Sequence, residues 1–290
     1  MLSAVKQYLK NFIKKYFYII LLRDKFTPAL QVNQRQLFLY YQQCFRENKI
    51  IRLSDTGYKV FSQHEEDGLL LFIFAIIGTT AKTFVDIGGN DGVNSNCANF
   101  AVNFGWHGLF IDSDKTAVKR GIHFYKRYPD PWSFKPRFVC QKVTRENINP
   151  IIEKEGFSGS IDLLSIDIDG NDYWIWDAIN ILEPRVVMVE AKVEFGFNNV
   201  VVPYDPGYSH LTKNPLYNGA SPVAFNNLAK RKGYRLAGAN GYGHNMIFIK
   251  NGLADDYFPE VAVATILTHP SAIESFKDFE RVMHLEFIEG

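Results

Sequence analysis

Cysteine is scarce in this sequence of 290 residues, which contains Cys44, Cys97 and Cys140 and no CxxC pair. An odd number of widely spaced cysteines argues against a disulfide framework and against a zinc site. Free thiols of this kind suit a reducing compartment. We therefore predict a cytoplasmic protein in which all three cysteines are small core side chains.

Excess charge of either sign is also absent, since the formal net charge is +1 at pH 7. Proteins that bind nucleic acids usually carry an excess of basic residues, so we expect no nucleic-acid partner. Apolar residues make up 47% of the chain and charged residues 22%, which is ordinary for a globular protein. This length and composition predict one large domain with additions to it.

Long apolar runs are missing as well. The run 16–22 is too short to span a bilayer and is closed by Arg23 and Asp24. Four basic residues precede it, namely Lys6, Lys10, Lys14 and Lys15. Residues 4–22 fit two roles: a helix docked on its own domain or on a second subunit, or a peripheral contact with the inner membrane surface. Both roles stay open, as does the oligomeric state.

The middle of the chain alternates between short apolar segments and amphipathic ones. After a predicted helix at 65–77, the predicted strands are 83–87, 108–111, 137–143, 161–168 and 185–190. The predicted helices between them are 94–104, 115–128, 147–155 and 173–181. Apolar strands that alternate with helices indicate a parallel sheet covered on both faces.

The end of this pattern selects the sheet topology. A predicted helix at 222–232 is followed by strands 234–239 and 245–250, joined by a short glycine-containing turn. A connection this short cannot hold a parallel crossover, so the last strand must be antiparallel. The pattern predicts the Rossmann-like α/β sheet of class I methyltransferases. We assign residues 61–252 to this domain, 1–60 to an N-terminal helical extension and 253–290 to a C-terminal extension packed on it.

A glycine-rich turn, Asp86-Ile87-Gly88-Gly89-Asn90-Asp91-Gly92, follows the first strand. Glycines allow a tight turn and a close backbone approach to a ligand. The N-terminus of a following helix suits an anionic group such as the carboxylate of methionine, and Asn94 and Ser95 lie at the predicted helix entry. The candidate cofactor-binding residues here are Asp86, Gly88, Gly89, Asn90, Gly92 and Ser95.

The second strand ends at Asp112 and Ser113, twenty residues beyond Gly92. A carboxylate at this position can accept hydrogen bonds from the ribose hydroxyls of a nucleoside. A dinucleotide fingerprint would need glycine at Asn90 and Val93, and a phosphate loop would need a G-K-S/T sequence that the chain lacks. The combination favours S-adenosylmethionine as the ligand, with Asp112 and Ser113 among its contacts.

Carboxylates also follow the fourth and fifth strands, at Asp167, Asp169, Asp172 and Glu190. Parallel sheets bind ligands at this edge. Asp167 or Asp169 can face the sulfonium and amine of the cofactor, act as a base, or hold a divalent metal with Glu190; these alternatives stay open. For Asp172 we predict only a cap for the helix that begins at residue 173.

Asp169 is the first candidate for the catalytic base, followed by Glu190, Lys192 and His244. Lys192 lies just after the fifth strand, and His244 follows the hairpin turn. A neutral imidazole is a competent base near pH 7. The long segment 193–220, which includes Tyr208, is expected to cover the acceptor.

Four blocks of the sequence together resemble the FkbM-type family of S-adenosylmethionine-dependent methyltransferases. They are Ser62-Gln63-His64-Glu65-Glu66-Asp67-Gly68, the turn 86–92, the segment 165–174 and Tyr217-Asn218-Gly219-Ala220-Ser221. In that family asparagine is common at the position of Asn90. The resemblance covers about residues 60–250 and implies O-methylation of a sugar in a glycan or a natural product. It also implies that the first block, with Gln63, packs over the cofactor.

Two other functions compete with this interpretation. A non-catalytic module that binds an adenosine ligand would keep the turn but would need no carboxylates around an acceptor. A nicotinamide-dependent oxidoreductase acting on a sugar is disfavoured by Asn90, Val93 and the terminal hairpin.

Overall fold

The structure, a computed structural model, describes residues 27–128, 134–209 and 214–290. Its centre is a sheet of seven strands: β1 (Thr83–Ile87), β2 (His107–Asp112), β3 (Arg137–Cys140), β4 (Gly159–Ile166), β5 (Leu182–Glu190), β6 (Tyr234–Ala239) and β7 (Asn245–Lys250). The strand order is β3-β2-β1-β4-β5-β7-β6. The first five strands are parallel, and β7 is antiparallel to both β5 and β6. The predicted class I methyltransferase sheet is therefore confirmed.

The described helices cover both faces of this sheet. They are α1 (Pro28–Arg46), α2 (Glu66–Ile77), α3 (Ala98–Asn103), α4 (Lys115–Arg127), α5 (Ile148–Lys154), α6 (Asp172–Ala178), α7 (Pro222–Arg231), α8 (Val263–Ile266) and α9 (Pro270–Ser275). Short 3₁₀ helices lie at Leu53–Asp55, Val193–Phe195 and Phe276–Arg281. No helix among the described residues is long and apolar enough to cross a membrane.

Alternate side chains of the strands pack into two separate hydrophobic cores, one on each face of the sheet. Phe84 and Phe110 pack on the face that carries α1 to α4, whereas Val85 and Ile111 pack on the face that carries α5 to α9. Successive residues of a strand point to opposite faces, so an apolar strand buried on both sides serves both cores. This explains why the sequence showed continuous apolar runs in place of a polar–apolar alternation.

Helix α2 is buried along almost its whole length. Its side chains from Glu66 to Ile76 are all buried, and it ends at Gly78, whose φ is +71°. It crosses one face of the sheet with its first turn at the carboxyl ends of the parallel strands, because Glu66 contacts the start of β7. Its last carbonyl, that of Ile77, accepts from Arg185 near the opposite edge.

Several sequence-based predictions were wrong in detail. Residues 1–60 are not helical throughout, because α1 ends at Arg46 and residues 47–60 are irregular apart from one 3₁₀ turn. The helix predicted at 94–104 begins only at Ala98, and Cys140 is exposed and not a core residue. The segment 4–22, for which a docked helix and a peripheral membrane contact were both left open, lies outside the described residues.

At the amino-terminal ends of the parallel strands, one buried carboxylate holds the segment that precedes β1. Asp162, near the start of β4, accepts hydrogen bonds from the backbone N–H groups of Thr80, Ala81 and Thr83 at 2.7–3.3 Å. Its carboxylate also lies 3.6 Å from the Arg185 guanidinium. One side chain thus fixes the segment that leads into β1.

We expect Asp162→Asn to destabilise the protein by about 1–3 kcal/mol, because an amide replaces one acceptor oxygen among buried donors. Guanidinium unfolding followed by circular dichroism measures this change. Asp177→Asn is the control, since its ion pair with Arg145 is partly exposed and such pairs contribute only about 0–1 kcal/mol. Equal stability of the two variants would contradict the role given to Asp162.

Candidate functional site

A cavity of about 830 Å³ opens at the carboxyl ends of the parallel strands. Its volume is typical of small-molecule and cofactor sites. Eight of the predicted cofactor residues line it: Gln63, Asp86, Gly88, Asn90, Ser95, Asp112, Ser113 and Asp167. The catalytic candidates Asp169 and Glu190 line it as well. The structure thus brings together residues that are more than 120 positions apart in the chain.

The glycines of the turn are required mainly by packing. A side chain at Gly88 would place its Cβ 1.6 Å from the carbonyl oxygen of Asp167, and the φ of Gly88 is +89°. Gly89 and Gly92, which do not line the cavity, lie against the ring of Phe110, 2.7 and 2.9 Å from where a Cβ would be. Close contact between the loops after β1 and β4 therefore explains Gly88.

Asn90 and Asp112 connect the turn to the end of β2. The backbone of Asn90 is left-handed (φ +51°), and its N–H donates to Oδ2 of Asp112 at 2.9 Å. The N–H of Asp114 donates to the other carboxylate oxygen at 2.7 Å. Each oxygen retains a second lone pair for a ligand. The two backbone donors thus fix the orientation of Asp112 at the cavity wall.

The segment after the turn does not have the predicted helix entry. Oδ1 of Asp91 accepts from the N–H groups of Val93 and Asn94, both at 3.1 Å, so this carboxylate occupies donors that a helix N-terminus would have offered to an anion. Ser95 instead donates to the carboxylate of Asp86 at 2.5 Å and accepts from the N–H of Cys97. Burial raises the pKa of Asp86 to about 6.

Three carboxylates form a cluster at the ends of β4 and β5. Carboxylate oxygens of Asp167, Asp169 and Glu190 lie within 4.8 Å of one another. Burial, followed by repulsion from neighbouring carboxylates, raises the pKa of both Asp167 and Glu190. Asp169 is exposed and has a left-handed backbone (φ +54°). The cluster suits a ligand that brings positive charge, and its oxygens are of the type that hard divalent cations bind.

Asp172 does not cap a helix, contrary to the sequence-based prediction. It is the first residue of α6, and its two oxygens accept from the N–H groups of Ile168 and Gly170 at 2.8 and 2.9 Å. Burial raises its pKa to about 6. Asp172 therefore shapes the loop that presents Asp169.

Lys192 and His244 do not line the cavity. The Nζ of Lys192 donates to the carbonyl of Pro215 at 2.9 Å and lies 3.4 Å from Glu194. His244 is partly buried in the hairpin turn, and burial lowers its pKa. Its carbonyl accepts from the N–H of Ala191. Both residues hold the loop after β5 in this structure.

Several cavity residues were missed by the sequence analysis, including Asn96, Gln141, Lys142, Asn171 and Ser209. Gln141 and Lys142 directly follow β3, so the rule that parallel strands bind ligands at their carboxyl ends was sufficient to find them. The other walls depend on loop contacts that have no sequence pattern.

Tyr208, from the segment expected to cover the acceptor, forms one wall. Its ring lies on Gly170, where a Cβ would be 2.5 Å from two ring carbons. Lys142 donates to the carbonyl of Tyr208 at 2.8 Å, and Asn171 donates to that of Asp205 at 2.9 Å. The loop after β5 is thus attached to the ends of β3 and β4.

Comparison with known proteins finds no match to a family model and none to a curated protein. Among solved structures, the chain is similar to an O-methyltransferase from Bacillus cereus, with 14% identity over 85% of this chain and 97% of that one and a TM-score of 0.43. It is also similar to the O-methyltransferase TomG from Streptomyces achromogenes, with 15% identity, coverage of 74% and 89% and a TM-score of 0.42.

A third similar structure is an S-adenosylmethionine-dependent methyltransferase from Clostridium acetobutylicum, with 10% identity, coverage of 62% and 88% and a TM-score of 0.39. Because these identities and TM-scores are low, the fold assignment rests on the strand order and directions of the chain itself.

The raised pKa values predict how stability depends on pH. Because the pKa values of Asp86 and Asp172 lie above the ordinary value near 4, the folded protein retains protons that the unfolded chain releases. The stability that these two groups contribute is therefore fully present below pH about 4 and is lost as the pH rises through 6, and Asp167, whose pKa is about 8, extends the loss to higher pH. We expect the Tm of the ligand-free protein to decrease between pH 5 and 8.

Asp167→Asn should flatten this decrease, because each such group contributes at most about 1.4 kcal/mol per pH unit. Thermal unfolding in a series of buffers of constant ionic strength measures the slope. Glu274→Gln, at an exposed ion pair with Lys277, is the control and should keep the original slope. Identical slopes in all three proteins would show that Asp167 does not retain a proton in the folded state.

Proposed function

We propose that the protein is an S-adenosylmethionine-dependent methyltransferase that acts on a hydroxyl group. The observation that carries the proposal is the arrangement of charge along the cavity. Asp112 lies at the end of β2, and the carboxylate cluster lies on the other side of β1, at the ends of β4 and β5. One end thus suits a ribose, and the other suits a cationic group.

The residues present fit this methyl donor. Asp112 has its carboxylate oriented by two backbone N–H groups and would accept the ribose hydroxyls. Asp167 and Glu190 are carboxylates that burial disfavours as anions, so an ammonium and a sulfonium beside them would offset that cost. Bound there, S-adenosylmethionine supplies an electrophilic methyl group on a positively charged sulfur.

The protein's own part in the reaction is positioning and proton removal. The walls formed by Tyr208 and the 168–171 loop hold the acceptor against the cofactor side of the cavity. Such alignment can lower the activation free energy by roughly 7–11 kcal/mol at best. Asp169 accepts the proton of the acceptor hydroxyl, because it is exposed to the cavity and presented by a left-handed backbone. A positioned base typically increases the rate of such a reaction by about 10²–10⁴-fold.

A divalent metal is the alternative means of activating the hydroxyl. Asp167, Asp169 and Glu190 offer three carboxylate oxygens at mutual distances that fit one ion. Such an ion would lower the pKa of a hydroxyl bound to it. Glu190 remains a candidate catalytic residue in either case, whereas the positions of Lys192 and His244 outside the cavity favour a structural role for them.

The acceptor we propose is a sugar of a glycan or of a natural product, as the resemblance to FkbM-type methyltransferases implies. The polar side chains along the acceptor side, Asn171, Tyr208 and Ser209, suit a hydroxylated molecule. A cytoplasmic location, proposed from the unpaired cysteines, is compatible with a soluble methyl donor. Asp169 and Glu190 at the same cavity weigh against a non-catalytic adenosine-binding module.

Calorimetric titration tests the cofactor. We expect S-adenosylhomocysteine to bind and NAD to bind far more weakly, because Asn90 replaces the glycine that a dinucleotide requires. Asp112→Ala should weaken S-adenosylhomocysteine roughly 10- to 150-fold, the equivalent of about 1.5–3 kcal/mol for hydrogen bonds to a charged group. Glu274→Gln should bind normally. Tighter binding of NAD, or an Asp112→Ala variant with unchanged affinity, would contradict the proposal.

Methyl transfer to a panel of glycan acceptors tests the chemistry. Asp169→Asn should lower turnover by about 10²–10⁴-fold while the affinity for S-adenosylhomocysteine stays the same, because only the proton acceptor is lost. Turnover that survives EDTA supports Asp169 as a base, and turnover restored by Mg²⁺ after EDTA supports the metal. Full turnover by Asp169→Asn would exclude both roles for this residue.

A further inference from the structure

The N-terminus of α2 connects the turn that carries the cavity residue Gln63 to the β6–β7 hairpin turn. Three consecutive acidic residues lie there, Glu65, Glu66 and Asp67, and each accepts hydrogen bonds from a different piece of backbone or side chain. On one side of them is the turn 60–64, which carries Gln63. On the other is the β6–β7 hairpin turn, 240–244.

Asp67 shapes the first of these loops. It is fully buried, and its Oδ2 accepts from the successive N–H groups of Val60, Phe61 and Ser62 at 2.7, 2.6 and 2.9 Å. The hydroxyl of Ser62 donates to the same oxygen at 3.0 Å. Successive N–H groups that converge on one anion form a nest, which fixes the dihedral angles of the residues that contribute them. Gln63 is the next residue along the chain.

Glu66 attaches the same turn to the hairpin. Its Oε2 accepts from the N–H of His64 at 2.8 Å, and its Oε1 accepts from the side-chain amides of Asn240 and Asn245 at 2.8 and 2.7 Å. Glu65 accepts from the N–H of Gly241. Gln63 is therefore held between the nest at Asp67 on one side and the bonds of His64 on the other.

These contacts place Gln63 at a particular end of the cavity. The hairpin turn to which its neighbours are attached lies beside β5 and β7, and Asn245 is paired with Glu190. Asp112, at β2, lies on the opposite side of β1. Gln63 is exposed and lines the cavity, so it enters from the side of the carboxylate cluster and not from the ribose side.

We propose that Gln63 contacts the amino-acid half of the cofactor and that Asp67 is the positioning residue that holds it there. This inference rests on the proposed function, but it concerns binding and not turnover. A primary amide can donate to a carboxylate and accept from an ammonium, which are the two charged groups of that half. Asp67 acts only through the backbone of residues 60–62, since it is buried beneath them.

Two ligands that differ in this half test the inference. S-adenosylhomocysteine carries the amino and carboxylate groups, and 5′-methylthioadenosine lacks them while keeping the adenosine and the sulfur. We expect Asp67→Asn and Gln63→Ala each to weaken S-adenosylhomocysteine by at least tenfold in calorimetric titration. The affinity for 5′-methylthioadenosine should stay within about twofold of the original, because its contacts lie toward Asp112.

Asp162→Asn is the matched control, because it also removes a buried carboxylate that accepts several backbone N–H groups, but at the opposite edge of the sheet. It should lower the Tm without changing the ratio of the two affinities. If Asp67→Asn does not fold, Ser62→Ala, which removes one donor to the same oxygen, should change the ratio in the same direction by a smaller factor.

The outcomes distinguish a failure of this inference from a failure of the proposed function. Equal weakening of both ligands by Asp67→Asn, or a ratio unchanged in Gln63→Ala, would overturn the positioning role while leaving the cofactor assignment intact. Failure of the unaltered protein to bind either nucleoside would overturn the proposed function itself. A changed ratio in both variants and an unchanged one in Asp162→Asn would support the inference.

Discussion

Hydrogen bonds from backbone N–H groups to buried aspartates are the interaction on which this structure depends. Asp67, Asp91, Asp162 and Asp172 each accept two or more such bonds, and each bends or fixes a different loop around the sheet. A carboxylate removed from water is costly unless donors replace the water. Loop shape and carboxylate burial therefore stabilise each other, and neither would persist alone.

The same requirement divides the carboxylates into two groups. Those surrounded by backbone donors are part of the scaffold, whereas Asp167 and Glu190 face each other across the ends of β4 and β5. Burial raises the pKa of Asp67 and Asp172 as well, but there hydrogen bonds from backbone N–H groups oppose it. At Asp167 and Glu190 burial is instead followed by repulsion from neighbouring carboxylates, which raises the pKa further. A ligand with positive charge can supply the stabilisation that backbone donors do not give to Asp167 and Glu190. These two carboxylates therefore mark the candidate binding site.

The sequence was a good guide to the sheet and a weaker one to the loops. Strands such as β1 and β4 are apolar runs between helical patterns, and the short hairpin before β7 fixed its direction, so periodicity and connection length were sufficient. The helix predicted at 94–104 was wrong because Asp91 bonds the N–H groups of Val93 and Asn94 and delays helix formation. Side-chain-to-backbone bonds of this kind compete with helices and have no period.

The site followed the same division: Asp112 and Glu190 end strands, Asp86 lies one residue before the end of β1, and all three were found by position. Tyr208 and Ser209, in contrast, reach the cavity through long-range contacts of a loop.

The close approach of Gly88 to the carbonyl of Asp167 limits which residues this site accepts. Where the loops after β1 and β4 touch, the cavity floor consists of main chain, and no residue other than glycine fits at position 88. Substitution at position 88 cannot reshape that floor. Under the proposed function, a change of acceptor would therefore have to arise in the surrounding walls, above all in the loop that carries Tyr208.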